Sequence, residues 1–99
     1  MKGFTGLKIV IVGCGKVGQT LVEQLVNEGH DITVVDTESS KVHQISNLFD
    51  VMGVVGNGAS FETLNGAGIG SADLLIAVTG SDEINLLSCL FARKSGGCN

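Results

Sequence analysis

Gly13, Gly15 and Gly18 lie within the stretch IVIVGCGKVGQTLVEQL, residues 9–25, and Asp36 follows eighteen residues after the last of them. Glycines at this spacing suit three jobs: a tight turn at Gly13, close approach of the backbone to a pyrophosphate at Gly15, and close packing of a helix on a strand at Gly18. The chemistry is anion capture, because the first N–H groups of a helix lack intrahelical partners and the dipole favours negative charge there. Asp36 adds a carboxylate that can accept hydrogen bonds from both hydroxyls of an adenosine ribose. The glycines alone would serve equally well as a turn that holds nothing; with Asp36 they point to a nucleotide. A 2′-phosphate would meet Asp36 and Glu38 with no arginine immediately after them, which disfavours NADP. NAD, NADH, ATP and ADP remain open on these residues.

Elements must place these groups together. Residues 7–12, apolar at every position but Lys8, read as a buried strand of the kind covered on both faces. Val17, Leu21, Val22, Leu25 and Val26 then share one helical face, with Gly29 as the stop. A second strand, residues 32–35, ends at Asp36. Ser39 or Ser40 offers an N-cap for a second helix whose stripe is Val42, Ile45, Leu48 and Phe49. Residues 51–55, interrupted by Gly53, make a third strand closed by GNGAS. Ser60 caps a short helix to about Gly66 with Phe61 and Leu64 inward, residues 74–78 make a fourth strand, and the last helix covers about 82–94. Alternating strands and helices with short connections predict a Rossmann-like, doubly wound parallel α/β sheet in the order 3-2-1-4, with the crevice at the carboxyl ends of strands one and four.

Other residues fall at the same sheet edge. Asn57 and Ser60 can meet an adenine or cap the next helix, and the cap is the simpler role for Ser60. Thr79 and Gly80 should line the crevice opposite the glycine turn, with Thr79 the preferred ligand contact; Asp82, Glu83 and Asn85 open the last helix, where acidic residues are ordinary dipole partners. Lys16 can steady a phosphate or stand in solvent. Cys14 is either a thiol activated by the helix N-terminus or a small residue filling space, the simpler account. His30 and His43 have no matching acid or nucleophile and receive no catalytic role.

Composition narrows the class. The 99 residues predict one domain, and 43% hydrophobic with 16% charged residues indicates a globular rather than a disordered chain. A net charge of −4 without a basic stripe argues against nucleic acid and anionic membrane as partners. Cys14, Cys89 and Cys98 show no metal-like spacing, and their odd number gives no disulfide framework, which predicts a reducing compartment. No apolar run approaches the ~20 residues of a membrane span, and the N-terminus MKGFTGLKIVIVG does not read as a signal peptide. A cytoplasmic chain is expected, unless a partner holds it at a membrane.

The chain's end suggests association. RKSGGCN reads as a helix C-terminus that stops where a fifth strand would begin, which predicts a unit truncated after its fourth β/α repeat. LLIAV would then be an apolar sheet edge. Ile84, Leu86, Leu87, Cys89, Leu90 and Phe91 spread around more of the last helix than one sheet face covers. Core packing or self-association explains them equally well.

Three stretches, KIVIVGCGKVGQTLVEQLVNEGHDITVVD, VVGNGAS and LNGAGIGSADLLIAVTGSDEINLLSCLFARK, together resemble the nucleotide-binding regulatory domain of Trk-type potassium uptake systems, the TrkA N-terminal or KTN/RCK family. The resemblance runs from Leu7 to Lys94. It implies a cytoplasmic regulatory module rather than an enzyme, binding NAD(H) or ATP/ADP, forming homo-oligomers and acting on an integral-membrane potassium transporter subunit. By position, Gly13, Gly15 and Gly18 would hold phosphates, Asp36 the ribose, and Asn57, Gly58 and Thr79 the adenosine side. The full candidate set is Gly13, Cys14, Gly15, Lys16, Val17, Gly18, Asp36, Thr37, Asn57, Gly58, Thr79 and Gly80. The alternative is the dinucleotide-binding fragment of an NAD-dependent oxidoreductase, for which the chain offers no substrate domain and no acid or base at the crevice.

Overall fold

The computed structural model describes residues 6–94; the readings of Cys98 and of the segment after Lys94 lie outside them. Strands β1 (Lys8–Val12), β2 (Asp31–Asp36), β3 (Met52–Val55) and β4 (Leu74–Ala77) form one sheet in the order β3-β2-β1-β4. Every pairing is parallel, with Ile9 opposite Ile32 and Leu74, and Val12 opposite Val35 and Ala77. Helices α1 (Lys16–Asn27), α2 (Ser39–Phe49) and α3 (Phe61–Gly66) make the crossovers, with a short 3-10 turn at Ile69–Ser71 before β4, and α4 (Asp82–Lys94) follows the last strand. The chain is a Rossmann-like α/β sheet, as its alternating pattern requires.

The continuous apolar strands are explained by a core on each face. Ile9 and Ile11 of β1 pack with Ile32, Val34, Val22 of α1, and Val42 and Ile45 of α2. Val10 and Val12 turn the other way, onto Leu64 of α3, Ile69 and Ala92 of α4. Successive side chains of a strand alternate faces, so a strand buried on both is apolar at nearly every inner position, Thr33 of β2 being the buried exception.

Helix ends follow local chemistry. α1 stops where Gly29 takes φ 90° and the Gly29 and His30 N–H groups donate to the carbonyls of Val26 and Leu25. Ser60 accepts from the Thr63 N–H and caps α3. The cap expected at Ser39 or Ser40 of α2 is corrected: Glu38 is the N-cap residue and makes no side-chain cap bond, with both serines already inside the helix. Three inward assignments are also corrected. Val17 and Leu48 are exposed, because each stripe curves round its helix beyond the sheet it covers, and Phe61 is half exposed with its ring edge-on to Phe91.

Candidate functional site

At the carboxyl edge of the sheet a crevice of about 390 Å³ opens between the ends of β1 and β4. Val12, Val35, Val78 and Ile84 give it an apolar floor. Its polar wall comes from the β1–α1 turn, the β2–α2 loop and the β4–α4 loop.

The turn is shaped by its glycines. Gly13 has φ 117°, and a Cβ there would lie 2.9 Å from the Val78 carbonyl, so the glycine turn and the end of β4 touch backbone to backbone. A Cβ on Gly18 would overlap the Gly13 carbonyl oxygen, which is what close packing of α1 on the turn demands. Gly15 is different, since a Cβ there would meet nothing within 4 Å. Nothing in the fold requires glycine at position 15, and Gly15 lines the crevice. It is also the N-cap of α1, with no side-chain cap bond and no acidic residue in the first turn. The first helical bond runs from the Gln19 N–H to the Gly15 carbonyl, so the N–H groups of the first turn are left for an outside acceptor. These features fit a phosphate-bearing ligand.

Asp36 is tied to that turn. Its Oδ2 accepts from the Cys14 N–H at 2.8 Å and its Oδ1 from the Glu38 N–H at 3.0 Å. Each carboxylate oxygen keeps acceptor capacity for a ribose hydroxyl. Glu38 and Lys41 stand beside it in the crevice wall, paired at 3.4 Å and both exposed. No motif marks either as a site residue, although Lys41, in the first turn of α2, lies only five residues after Asp36.

The third wall carries a compact hydrogen-bond network. The Thr79 N–H donates to Asn85 Oδ1 at 3.0 Å and the Thr79 hydroxyl to the same oxygen at 2.6 Å. Asn85 Nδ2 donates back to the Thr79 carbonyl at 3.2 Å, and the Ser81 N–H donates to the Thr79 hydroxyl at 3.1 Å. Ser81 Oγ caps α4 by accepting from the Ile84 N–H. The hydroxyl proton of Thr79, taken from sequence as a ligand contact, is thus engaged within the loop.

Of the candidate residues, Gly13, Gly15, Asp36, Thr37, Gly58, Thr79 and Gly80 are brought together around the crevice. Cys14, Lys16, Val17, Gly18 and Asn57 are not part of its lining. Lys16 and Val17 face solvent along α1 with Thr20. Asn57 folds back to accept from the Ala59 N–H at 2.8 Å, shaping its own turn. The Cys14 side chain is buried in the α1 and α2 core, and burial, then the Asp36 charge, push its thiol from 9.0 to about 11 against a smaller opposite effect of Lys41. Burial and the raised thiol favour the space-filling account of Cys14 over activation by the helix N-terminus, and its N–H is the group that meets Asp36. Among the described residues no group of three or more His, Cys, Asp or Glu could hold a metal ion.

The TrkA-N domain family model matches residues 9–98. The chain belongs to the TrkA-N domain family. The Trk system potassium uptake protein TrkA of Haemophilus influenzae is 47% identical over 83 residues, covering 84% of this chain and 18% of that protein. The TrkA homolog of Methanothermobacter thermautotrophicus is 41% identical over 86 residues, 87% of this chain and 40% of its own length. This TrkA-N domain thus spans well under half the length of either relative. Among solved structures, the TrkA-N domain of the inner membrane protein ybaL from Escherichia coli matches with a TM-score of 0.66 and 28% identity, over 77% of this chain and 55% of that one. The Kef CTD of Shewanella denitrificans, solved in an AMP-bound form, shares the fold at a TM-score of 0.79 and 22% identity, over 93% of this chain and 55% of that one. No helix among the described residues is long and apolar enough to cross a membrane.

Proposed function

We propose that this TrkA-N domain is a single regulatory domain that binds NAD(H) or ATP/ADP in the crevice and so controls a membrane potassium uptake system. The observation that carries it is the join between Asp36 and the Cys14 N–H, which sets a ribose-binding carboxylate beside the uncapped N-terminus of α1. Phosphates would lie along Gly13 to Gly18 and ribose on Asp36, with the base toward Thr37, Glu38 and Gly58. The relatives' name, Trk system potassium uptake protein, supports potassium uptake as the setting. The AMP-bound Kef domain supports an adenine nucleotide on this fold.

A regulatory rather than catalytic role is supported by where charge sits. The titratable groups lining the crevice are Asp36, Glu38 and Lys41, all on the ribose side; the opposite wall of Thr79, Gly80 and Ser81 has no acid or base to serve an oxidoreductase. In this reading the domain works from the cytoplasmic face of the membrane, on an integral-membrane transporter subunit. It also works as a homo-oligomer, joined through the β4 edge or through the exposed Leu86, Leu87 and Leu90 of α4. Light scattering at high concentration should find a dimer or larger species, and a clean monomer rejects that contact for this chain.

The deciding experiment is calorimetric titration of NAD, NADH, ATP and ADP into the wild-type chain and Asp36→Ala. Loss of charge-assisted hydrogen bonds should weaken binding about ten- to a hundredfold. A change under about twofold removes Asp36 from the site.

A further inference from the structure

We propose that Asn85, which does not line the crevice, is the positioning residue of its β4–α4 wall and sets nucleotide affinity through Thr79. The inference rests on the nucleotide-binding reading above. Asn85 lies in the first turn of α4, six residues beyond Thr79, and its carboxamide meets both main-chain groups of that residue, Oδ1 with the N–H and Nδ2 with the carbonyl. The pairing leaves one amide orientation, since a flipped carboxamide would set donor against donor and acceptor against acceptor.

Further consequences follow in order. Two acceptors face the Thr79 hydroxyl, Asn85 Oδ1 at 2.6 Å and the Ser81 carbonyl at 3.1 Å; its one proton goes to the nearer, Asn85, and its lone pairs are left to receive the Ser81 N–H. Ser81, held there, caps the Ile84 N–H, and Ile84 forms part of the crevice floor. One side chain thereby fixes Thr79 and Ser81, the residues on either side of Gly80. The wall is also in register with the phosphate turn, because Val78 donates its N–H to the Val12 carbonyl and a Cβ on Gly13 would press on the Val78–Thr79 peptide. A loosened Thr79 would therefore widen the crevice opposite Gly13 and Gly15 and weaken a ligand that spans both walls.

The test titrates NAD, NADH, ATP and ADP into the wild-type chain, Asn85→Asp, Thr79→Val and the double variant, with Thr79→Ser as the conservative control. Asn85→Asp keeps size and the Oδ acceptor but replaces the Nδ2 donor with an oxygen facing the Thr79 carbonyl. It should weaken the tightest ligand about tenfold, and Thr79→Val should do the same. The double variant should be no weaker than either single, and Thr79→Ser should retain affinity. Amide hydrogen exchange of the free chains should quicken at Thr79 and Ser81 in Asn85→Asp and stay as in wild type at Cys14 and across α1, which separates positioning from general destabilisation. Wild-type binding with an Asn85→Asp change under twofold overturns the inference alone. Faster exchange throughout the chain, or additive losses in the double variant, overturns it as well. A wild-type chain that binds none of the four rejects the nucleotide reading and this inference with it.

Discussion

Two helices begin at the crevice, α1 at Gly15 and α4 just after Ser81, and they treat their free N–H groups in opposite ways. α4 satisfies itself: Ser81 Oγ accepts from the Ile84 N–H, and Asp82 and Glu83 place negative charge in the first turn. α1 has a glycine cap, no side-chain cap bond and no acid in its first turn. A helix N-terminus carries partial positive charge and unpaired donors whichever strand it follows, so the fold supplied two equivalent anion sites and the sequence closed one of them. In the proposed reading, the difference favours α1 for the phosphate end of a ligand. It leaves α4 the task of holding the opposite wall in shape.

The sharpest way to break this comparison is to give α1 the cap that α4 has. Gly15 sits at φ −76° and ψ −164°, the extended conformation of an N-cap, with open space where a Cβ would go. Gly15→Asp should raise stability by a few tenths of a kcal/mol. It should also abolish nucleotide binding, because a carboxylate about 4 Å from a phosphate costs about 4 kcal/mol at an effective dielectric near 20, more than a hundredfold in affinity. Gly15→Val separates shape from charge: helix content by circular dichroism should stay near wild type while calorimetry finds no binding. Retained affinity in Gly15→Val would show that close backbone approach is not what Gly15 provides.

Gly18, three residues on, should give the reverse result. Its Cβ would overlap the Gly13 carbonyl oxygen, and backbone cannot move aside as a side chain can. Gly18→Ala should cost about 2 to 3 kcal/mol in denaturant unfolding, in the range of overpacked cores. Two glycines of one motif thus differ, one open to the crevice and one required by packing, a distinction that spacing alone does not draw.

Cys14 tests the same turn by pH. Its thiol is raised from 9.0 to about 11 in the folded chain, so the folded state holds its proton after the unfolded state has lost it. That contribution is complete below pH 9 and is lost as pH rises toward 11, a change on the order of 2 kcal/mol. Cys14→Ser lacks this titration and should show a flatter decline in unfolding free energy over that window. In the native chain at pH 8, exposed Cys89 should alkylate well before buried Cys14.

How much of this was legible in the sequence depends on the range of the interaction concerned. β1 and β2 were readable because both faces are buried and their apolar runs are broken only by Thr33, and Gly29 and Ser60 announced helix ends through bonds to residues a few positions away. Val17 and Leu48 were misplaced because helical period gives a stripe but not the width of the surface that covers it. Thr79 was rightly put at the crevice, yet the engagement of its hydroxyl by Asn85 follows from how the loop folds back onto the first turn of α4, which no motif records. Lys41 was passed over because lysine on a helix is ordinary; only the path of the β2–α2 loop brings it to Asp36 and Glu38.

The smallest effects lie at the filled end of the comparison. Ser81→Ala removes the cap of α4 and should lower stability by about 1 kcal/mol, the usual worth of such a bond. Asp82→Asn removes one first-turn charge from an exposed position and should cost only about 0.3 to 1 kcal/mol, fading as salt screens the dipole. The two losses differ in kind, since a hydrogen-bonded cap survives salt and a charge-dipole attraction does not. Urea unfolding of both variants at 0.01 M and 1 M salt resolves them. If the Asp82→Asn loss were equally large at both salts, Asp82 would be acting through a bond rather than through the dipole, and α4 would then be closed by two caps instead of a cap and a charge.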